Sequence, residues 1–432
     1  MAKTFREYNP DQLLLMAPSL RDWLPEDHAV YFVSDLVDQL DLRAIYESYD
    51  EERGYPPYHP LLMTKLLLYG YSRGVRSSRK IARACVEAVD FRVLAAGQQP
   101  DHRTIATFRT RHLEALNGLF DQVLQLCREA GLVKLGHVAV DGTKVRANAS
   151  KHKAMSYARM KQEEERRREQ IRRWFEECEE TDAAEDALYG PDKTGDELPE
   201  ELRDPKRRLE KIREAKAALE AEARERGQKE PKPKAQRNFT DPESRIMRSS
   251  DKAYIQAYNC QAAVDADSQV IVAADVLQKA SDQNELVPMV EQVEKRLDEK
   301  PKVVSADAGY WAEKDLKHLE ADGIEALVAP KKIRHSEWRD ATSPKGRIPK
   351  GLSRKQLMAR KLRTKRGRDE YGKRKVTVEP IFGQLKGPLD FRQFLLRGYR
   401  KAKGEWTLVC TASNILKLFR AGGCPMRATP AI

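Results

Sequence analysis

The sequence has 432 residues, of which 40% are hydrophobic and 34% charged, and its 79 Lys and Arg outnumber its 67 Asp and Glu to give a net charge of +12. At roughly 100 to 200 residues per domain, this length predicts two to four domains. No apolar run approaches the roughly 20 residues of a transmembrane helix, the first residues (MAKTFREYNPDQ) lack the apolar stretch typical of a signal peptide, and the six cysteines include no CxxC pair. We therefore expect a cytoplasmic protein with no membrane contact, no disulfide framework and no zinc ribbon.

Helical spacing of apolar residues dominates residues 1–134, which we predict to form an N-terminal helical domain. The predicted helices are a segment containing Val30, Val33, Val37 and Leu40, the run 61–69 ended by Gly70 and Gly74, a segment capped by Ser77, and one long helix from Arg103 to Ala130. Two helices around a glycine-containing turn with basic residues on the second would suit DNA binding. A plain packing or dimerisation domain explains the pattern equally well.

Residues 151–230 differ in composition from the rest, with 20 basic and 23 acidic residues and few apolar ones. Alternating charges of this kind predict two long solvated helices with ion pairs three and four residues apart, broken near residues 189–199. Because its net charge is −3, this segment is a poor candidate for holding a phosphate backbone. We interpret residues 151–235 as a charged helical insertion.

An α/β pattern surrounds the insertion, in residues 135–150 and 236–422. The predicted elements are a strand at 137–145, a β-hairpin at 253–278 with its turn at 265–268, a helix at 283–297, a strand at 302–309, a helix at 313–320 and a strand at 324–330. This order predicts an α/β sheet in which two strands run antiparallel to their partners.

Positive charge is concentrated in residues 331–375, which we predict to form a basic loop. The segment has 18 Lys and Arg against four acidic residues, a local charge of +14 that exceeds the net charge of the whole chain. Such a segment can hold phosphates through charge and counterion release without sequence preference. The alternative is a solvated, disordered loop that binds nothing.

Three carboxylates stand in contexts where an ionised side chain needs a partner. Asp141 follows an apolar run inside a predicted strand, Asp307 ends a second strand, and Glu379 lies near the predicted first turn of a helix, where Pro380 also fits. Each acid alone could be a turn, cap or helix-terminal residue. Together they can converge on hard cations such as Mg²⁺, and two such ions about 4 Å apart suit an in-line phosphoryl displacement.

Five segments in chain order carry a resemblance to a known family. They are YHPLLMTKLLLYGYSRGVRSSRKIARAC with PDHRTIATFR, VAVDGTKVRANASKHK, YNCQAAVDADSQVIVAADV, SADAGYW and VEPIFGQLKG. The sequence resembles the DDE transposases of bacterial insertion sequences. The resemblance implies a ribonuclease H-like mixed sheet flanked by helices, and it assigns Asp141, Asp307 and Glu379 as the first Asp, the second Asp and the Glu that bind divalent ions.

The same resemblance extends to the residues around the third acid, where the family has a Tyr, a basic residue and a Lys. Tyr371 precedes Glu379, and Lys386 follows it by seven positions, two helical turns along the same face. Lys375 has the family's spacing from Glu379 and Arg374 has its spacing from Tyr371, so either could serve. We expect Lys386 and these basic residues to hold the DNA backbone, whereas Tyr371 either contacts phosphate or belongs to the core.

The resemblance implies a transposase that uses two Mg²⁺ or Mn²⁺ ions per active site. Water would attack a phosphodiester at the end of the element and free a 3′-hydroxyl, which would then attack target DNA. The implied partners are the terminal inverted repeats, which the N-terminal helices would recognise, and the target DNA, and two ends cut in one complex imply a homodimer or a higher oligomer. Two other classes remain open: a nuclease of the same fold that does not join strands, and a non-catalytic DNA-binding derivative.

Overall fold

The computed structural model describes residues 19–49, 56–149, 154–170, 172–173, 200–249, 253–331, 342–344 and 346–422. The chain divides into two compact units, one formed by Met1–Ala130 with Thr411–Ile432 and the other by Gly131–Cys410. Within the described ranges, no helix combines the length and the apolar composition needed to cross a bilayer.

The first unit consists of helices in its described part. They are α1 (Ala29–Asp38), α2 (Arg43–Tyr46), α3 (Pro60–Ser72), α4 (Ser78–Glu87), α5 (Val89–Leu94), α6 (His102–Arg111) and α7 (Leu113–Glu129). Val30, Val33 and Val37 are buried on one side of α1, as their spacing predicts. The last turns of the C-terminal helix also belong to this unit.

Gly70 does not end α3, contrary to the prediction, and the helix continues to Ser72. A β-carbon at Gly70 would lie 2.8 Å from the carbonyl oxygen of Val75, so the glycine permits a close approach of the next turn to the helix. Gly74, which has φ +74°, follows the end of the helix. The two glycines therefore have different functions, which the sequence pattern alone did not separate.

The single helix predicted from Arg103 to Ala130 is two helices, α6 and α7, with His112 between them. The His112 ring stacks on Tyr49, and its Nδ1 and Nε2 lie 3.3 Å from Ser48 Oγ and 3.2 Å from Tyr49 Oη. These contacts join residues more than 60 positions apart. The break is therefore a tertiary effect, because the apolar spacing continues through it.

The second unit is built on a six-stranded mixed sheet. The strands of the chain are β1 (His137–Arg146), β2 (Ala154–Ser156), β3 (Gln236–Asn238), β4 (Arg245–Arg248), β5 (Tyr254–Asp265), β6 (Ile271–Leu277), β7 (Val303–Ala306) and β8 (Glu325–Val328), of which β2 and β3 form a separate pair. In the main sheet, β1 lies between β5, which is antiparallel to it, and β7, which is parallel. β8 extends the sheet in parallel beyond β7, while β4 and β6 both pair antiparallel with β5.

Helices flank this sheet. They are α8 (157–170), α9 (Glu200–Glu225), α10 (Leu286–Leu297), α11 (Glu313–Ala321), α12 (Arg354–Arg363), α13 (Lys365–Lys386) and α14 (Tyr399–Arg420), the last of which continues into the first unit. α10 packs on β5 and β6, α11 on β8, and α13 on β1. The prediction of a mixed α/β sheet flanked by helices is confirmed.

Burial and short apolar runs explain why β1 and β5 form the centre of the sheet. Val138, Ala139 and Val140 are fully buried on β1, and every residue of β5 after Tyr254 is buried. Central strands that are covered on both faces have this composition. The predicted hairpin is formed by β5 and β6, whereas the four-residue strand β4 was too short for its pattern to be recognised.

The insertion contains the ion pairs that its charges predict, together with a small core that they do not predict. Glu164, which is 6% exposed, pairs with Lys216 at 2.8 Å and Arg168 at 2.8 Å. The helices also bury a cluster of apolar side chains, formed by Met155, Tyr157, Met160, Ile212, Ala215 and Leu219. The predicted break near residues 189–199 lies outside the described residues.

The prediction of a basic loop at 331–375 is wrong for its C-terminal half, where α12 and the first half of α13 are helical. Ser353 caps α12 in a capping box with Gln356, and Thr364 caps α13 by accepting a hydrogen bond from the Gly367 N–H. Met358 and Leu362 supply a narrow buried face. Caps and a few apolar residues are thus enough to form helices in a segment whose composition suggested a loop.

Pro380 lies inside α13 and not in its first turn as predicted, because α13 begins fifteen residues earlier, at Lys365. Proline has no N–H, so the carbonyl oxygen of Val376, four residues before it, loses its helical donor. The side-chain amide of Gln269, in the turn between β5 and β6, donates a 2.8 Å hydrogen bond to that oxygen. The turn therefore satisfies the backbone group that the proline leaves without a partner.

Candidate active site

Asp141 lies in the middle of the sheet on β1, where its main chain faces Ala262 of β5. Its Oδ1 accepts a 2.8 Å hydrogen bond from the Gly142 N–H, and its Oδ2 accepts a 2.8 Å hydrogen bond from Arg374 Nη1. Burial raises the pKa of Asp141 to about 6, although the Arg374 charge acts in the opposite direction. The chain therefore holds a carboxylate beside a cation at a position where ionisation is costly.

Asp307 lies beside Asp141 at the carboxyl end of β7. In the parallel pairing of β1 with β7, Val140 faces Ala306, so the next residue of each strand is an aspartate. Asp307 Oδ1 accepts a 2.7 Å hydrogen bond from the Gly309 N–H. Burial is the main cause of the raised pKa of Asp141, and the Asp307 charge adds to it. Two of the predicted acids are therefore neighbours at the carboxyl end of β7, and the carboxyl ends of parallel strands are where sites of α/β proteins are commonly found.

Arg374 supplies the positive charge at these two acids from α13. Its side chain is 11% exposed, and its guanidinium lies over the Tyr371 ring with 5.7 Å between Cζ and the ring centroid. Although burial opposes it, the charge of Asp141 raises the pKa of Arg374. The neighbouring Lys375 is exposed and has no polar partner among the described residues. Of the two basic candidates, Arg374 is thus the one at the acids, and Tyr371 is buried beneath it.

Glu379 lies on the same helix but on a different side. At about 100° per residue, five positions put Glu379 about 140° around the helix axis from Arg374. Tyr371, Val378 and Ile381 form the face that is buried on the sheet, whereas Glu379 is exposed and makes no ion pair or hydrogen bond with any described residue. Glu379 therefore does not meet the two aspartates in this conformation.

No ready-made metal cluster follows from this arrangement. Within the described part of the chain, no three side chains of His, Cys, Asp or Glu are placed to hold a metal ion together. The predicted convergence of all three acids is therefore not found, although Asp141 and Asp307 lie together. The reason is the rotation of α13 about its own axis, which directs Arg374, and not Glu379, toward Asp141 on β1.

Lys386, the last residue of α13, contacts β1 two residues beyond Asp141. Its Nζ contacts Thr143 Oγ1 and donates a 3.3 Å hydrogen bond to the carbonyl oxygen of Lys144. Its charge is thus fixed at the strand that carries the first acid. Tyr310, which follows Asp307, is fully buried with its hydroxyl on the Gln261 side chain, and so it belongs to the core.

The structure adds a carboxylate that sequence reasoning missed. Asp282 lies in the loop between β6 and α10, and its Oδ1 accepts hydrogen bonds from Asn259 Nδ2 at 2.6 Å and Gln261 Nε2 at 2.8 Å. Lys144 Nζ lies 3.4 Å from the same oxygen. The available signal was an acid that closely follows a predicted strand, but the loop sequence SDQNE has no apolar residues that would mark it as part of a site.

The types of donor around Asp141 suit a divalent cation, although the carboxylates of the described residues do not now surround one point. Asp141, Asp307 and Asp282 supply carboxylates, and the side-chain oxygen of Asn259 is buried without a hydrogen-bond partner among the described residues. Carboxylate and amide oxygens are the ligands that Mg²⁺ and similar ions prefer. Arg374 and Lys144 now provide positive charge at two of these carboxylates.

Two family models match the chain. The Transposase domain (DUF772) family matches residues 18–111, and the Transposase DDE domain family matches residues 223–415, so together they cover about two thirds of the sequence. The chain belongs to the DDE-type transposases of insertion sequences. Neither a curated protein nor a solved structure matches this transposase. The ribonuclease H-like topology therefore stays a prediction beyond the observed mixed sheet.

Family membership gives this transposase its substrate class and its type of reaction. DNA cleavage and transposition follow from the DDE domain, and enzymes of this family generally depend on divalent metal ions. Asp307 and Glu379 fall inside the matched residues. Asp141 precedes them, so its assignment depends on its sequence context and on its position beside Asp307.

Proposed function

We propose that this transposase cuts DNA at the ends of its insertion sequence and joins the freed 3′ ends to target DNA, at a divalent-metal centre built around Asp141 and Asp307. The observation that carries the proposal is the register of β1 and β7, which puts these two aspartates side by side at the carboxyl ends of parallel strands. Their family context supports the reaction type, since the DDE domain covers the second of them.

The reaction consists of two phosphoryl transfers. In the first, water forms the new bond to phosphorus and the 3′ oxygen of the element leaves as a hydroxyl. In the second, that hydroxyl attacks a target phosphodiester, and the target 3′ oxygen leaves. When bound, two Mg²⁺ or Mn²⁺ ions would stabilise charge on the attacking and leaving oxygens. No covalent bond between protein and DNA is required, because the protein contributes position and charge.

Within this proposal, Asp141 and Asp307 are metal ligands, and Arg374 has two successive functions. Its guanidinium now occupies Oδ2 of Asp141, so it must leave that oxygen before a cation can use it. Once released, the guanidinium is free to hold a DNA phosphate, which it can do through two parallel hydrogen bonds. Glu379 is the proposed third metal ligand in the DNA-bound enzyme, and this assignment requires α13 to move, since Glu379 is now exposed on another side of the helix.

Basic residues around the acids are the proposed DNA-holding groups. Lys386 is fixed at β1, while Lys375 projects from α13 without a described partner. Earlier in the basic segment, α12 and the start of α13 expose three further basic residues, Lys355, Arg363 and Lys365. Contacts of this type give affinity for any sequence. We assign recognition of the terminal inverted repeats to the N-terminal helices, and we expect a homodimer or higher oligomer at the nucleoid, in the cytoplasm, because two ends must be cut together.

Cleavage of a defined DNA tests the proposal. The full chain is incubated with MgCl₂ and a duplex that carries the inverted repeats flanking its coding region, and the products are resolved as nicked and joined strands. Asp141→Asn and Asp307→Asn should each lower cleavage on the order of a hundredfold or more. Asp275→Asn, which changes an acid of β6 that pairs with Lys403 at 2.7 Å, should cleave normally.

The outcome separates the three classes of protein. Cleavage at the repeat ends with joined products supports a transposase, whereas cleavage without joining, even from pre-cut ends, indicates a nuclease of the same fold. Binding without cleavage indicates a non-catalytic derivative. Cleavage that survives Asp307→Asn would show that the site assignment is wrong.

A further inference from the structure

Asp282 connects the loop after β6 to the middle of the sheet. Its Oδ1 accepts hydrogen bonds from the side-chain amides of Asn259 and Gln261, both on β5, at 2.6 and 2.8 Å. Lys144 Nζ, on β1, lies 3.4 Å from Oδ1 and 3.5 Å from Oδ2. The Asp282 side chain is 18% exposed, so an ion from solvent can reach this mostly enclosed carboxylate.

Two glycines leave the space that Asp282 occupies beside Asp141 and Asp307. A β-carbon at Gly142 would lie 2.8 Å from Asp282 Oδ1, and a β-carbon at Gly309 would lie 3.4 Å from Asp282 Oδ2. Gly142 follows Asp141 directly, and the Gly309 N–H donates a hydrogen bond to Asp307 Oδ1. Asp282 therefore lies next to the glycines that adjoin the two aspartates, and a β-carbon at Gly142 would force Gln261 Nε2, at 2.5 Å, and Asp282 Oδ1 to shift.

The side-chain oxygen of Asn259 gives an independent indication of a ligand. Asn259 is fully buried, and its Oδ1 has no hydrogen-bond partner among the described residues. That oxygen lies 3.0 Å from the position of a β-carbon at Gly142, which is also the point that Asp282 Oδ1 approaches. A buried polar atom without a partner is costly unless a donor or a cation satisfies it.

We propose that Asp282 and the side-chain oxygen of Asn259 bind a divalent cation in the same centre as Asp141 and Asp307. The inference rests on the proposed metal-dependent function and names two ligands that the DDE assignment does not contain. Lys144 neutralises Asp282 when no cation is bound and moves away when one enters. In contrast to Glu379, Asp282 already lies close to Gly142 and Gly309, the glycines that adjoin the two aspartates, so its approach requires no movement of α13.

The competing explanation is that Asp282 only anchors its loop. Asp282→Asn separates the two roles, because asparagine keeps an oxygen that can accept from the amides of Asn259 and Gln261 but loses the negative charge that a cation needs. Asp275→Asn is the matched control. Asp275 is also 18% exposed, and it also contacts one lysine, Lys403 at 2.7 Å, and one side-chain amide, Gln292 at 2.9 Å.

Binding of MnCl₂ to the full chain without DNA, measured by electron paramagnetic resonance of the free ion, tests the inference. Asp282→Asn should weaken Mn²⁺ binding at least tenfold, while Asp275→Asn should leave it unchanged. Lys144→Met removes the competing charge and should tighten binding severalfold, a gain that no loss of folding can imitate. Unchanged affinity in Asp282→Asn or in Lys144→Met, or an equal loss in Asp275→Asn, would overturn the inference.

Asp141→Asn, measured in the same way, distinguishes this inference from the proposed function. If Asp141→Asn loses Mn²⁺ binding and Asp282→Asn keeps it, the metal centre stands without Asp282, and only the inference fails. If the unsubstituted chain shows no saturable Mn²⁺ binding and no Mg²⁺-dependent cleavage of DNA, both fail. If both variants lose binding and the control keeps it, both are supported.

Discussion

Replacing Asp141 by Asn should change how the stability of the metal-free protein depends on pH. Burial, opposed by Arg374, raises the pKa of Asp141 from 3.8 to about 6. At about 1.4 kcal/mol per pKa unit, ionising this carboxyl costs about 3 kcal/mol more in the folded protein than in the unfolded chain. Because the folded pKa is the higher one, the stability contribution of Asp141 is complete below pH 3.8 and is lost as the pH rises through about 6. Asparagine does not titrate, so the variant avoids this loss.

Thermal unfolding in EDTA buffers from about pH 4 to about pH 8 measures the effect. Relative to the unsubstituted chain, Asp141→Asn should gain about 3 kcal/mol across this range, which corresponds to roughly 6 °C in Tm for a unit of this size. Arg374→Met should make the loss with rising pH larger and extend it to higher pH, because it removes the cation that favours the ionised carboxyl. Lys375→Met, on the exposed side of the same helix, should not. Tm profiles of Asp141→Asn and the unsubstituted chain that stay parallel over the whole range would refute this reasoning.

Two further substitutions examine contacts around the site. Gly142→Ala should displace Asp282, whose Oδ1 lies 2.8 Å from the position of the added carbon, and should lower both Tm and DNA cleavage. Gly383→Ala, at an α13 position with open space around the added carbon, should keep cleavage and raise the free energy of unfolding in urea by up to about 1 kcal/mol. Equal effects of the two substitutions would contradict the steric argument. Gln269→Ala should lower the free energy of unfolding in urea by about 1 kcal/mol in the unsubstituted chain, because it removes the donor to the Val376 carbonyl oxygen. The same substitution should cost little in a Pro380→Ala background, where the N–H of residue 380 supplies that donor. An identical cost in both backgrounds would argue against this hydrogen bond.

Much of the sheet could be predicted because each of its central strands contains a short apolar run, Val138–Val140 in β1 and Ala262–Val264 in β5. The runs in β1, β5, β6, β7 and β8 are short, contain β-branched residues and are bounded by turn residues, a pattern that favours buried strands. The helices of the basic segment were harder to predict, since about half of the residues of α12 and α13 are charged and these helices depend on caps and a narrow apolar face. The break at His112 depends on Ser48 and Tyr49, which are distant in sequence, so no local pattern indicates it.

The candidate site could be predicted in part for a similar reason. Asp141 and Asp307 follow apolar strands, and the parallel pairing of those strands brings them together. The orientation of Glu379 could not be predicted, because it depends on which side of α13 packs on the sheet, and the helix was expected to begin near Glu379 and not at Lys365. Asp282 was missed because only the fold reveals that its polar loop lies beside Gly142.

The proline in α13 has a mechanical consequence. One main-chain hydrogen bond of the helix is missing beside Glu379, and the Gln269 side chain, in the turn between β5 and β6, replaces it. A side-chain bond can open without unwinding the helix, so α13 can bend there at small cost. The stiffness of the segment that carries the third acid is therefore controlled from a turn near the start of β1. A neighbouring subunit or a DNA strand that binds the Gln269 side chain would therefore change the stiffness of α13 without contacting Asp141, Asp307 or Glu379.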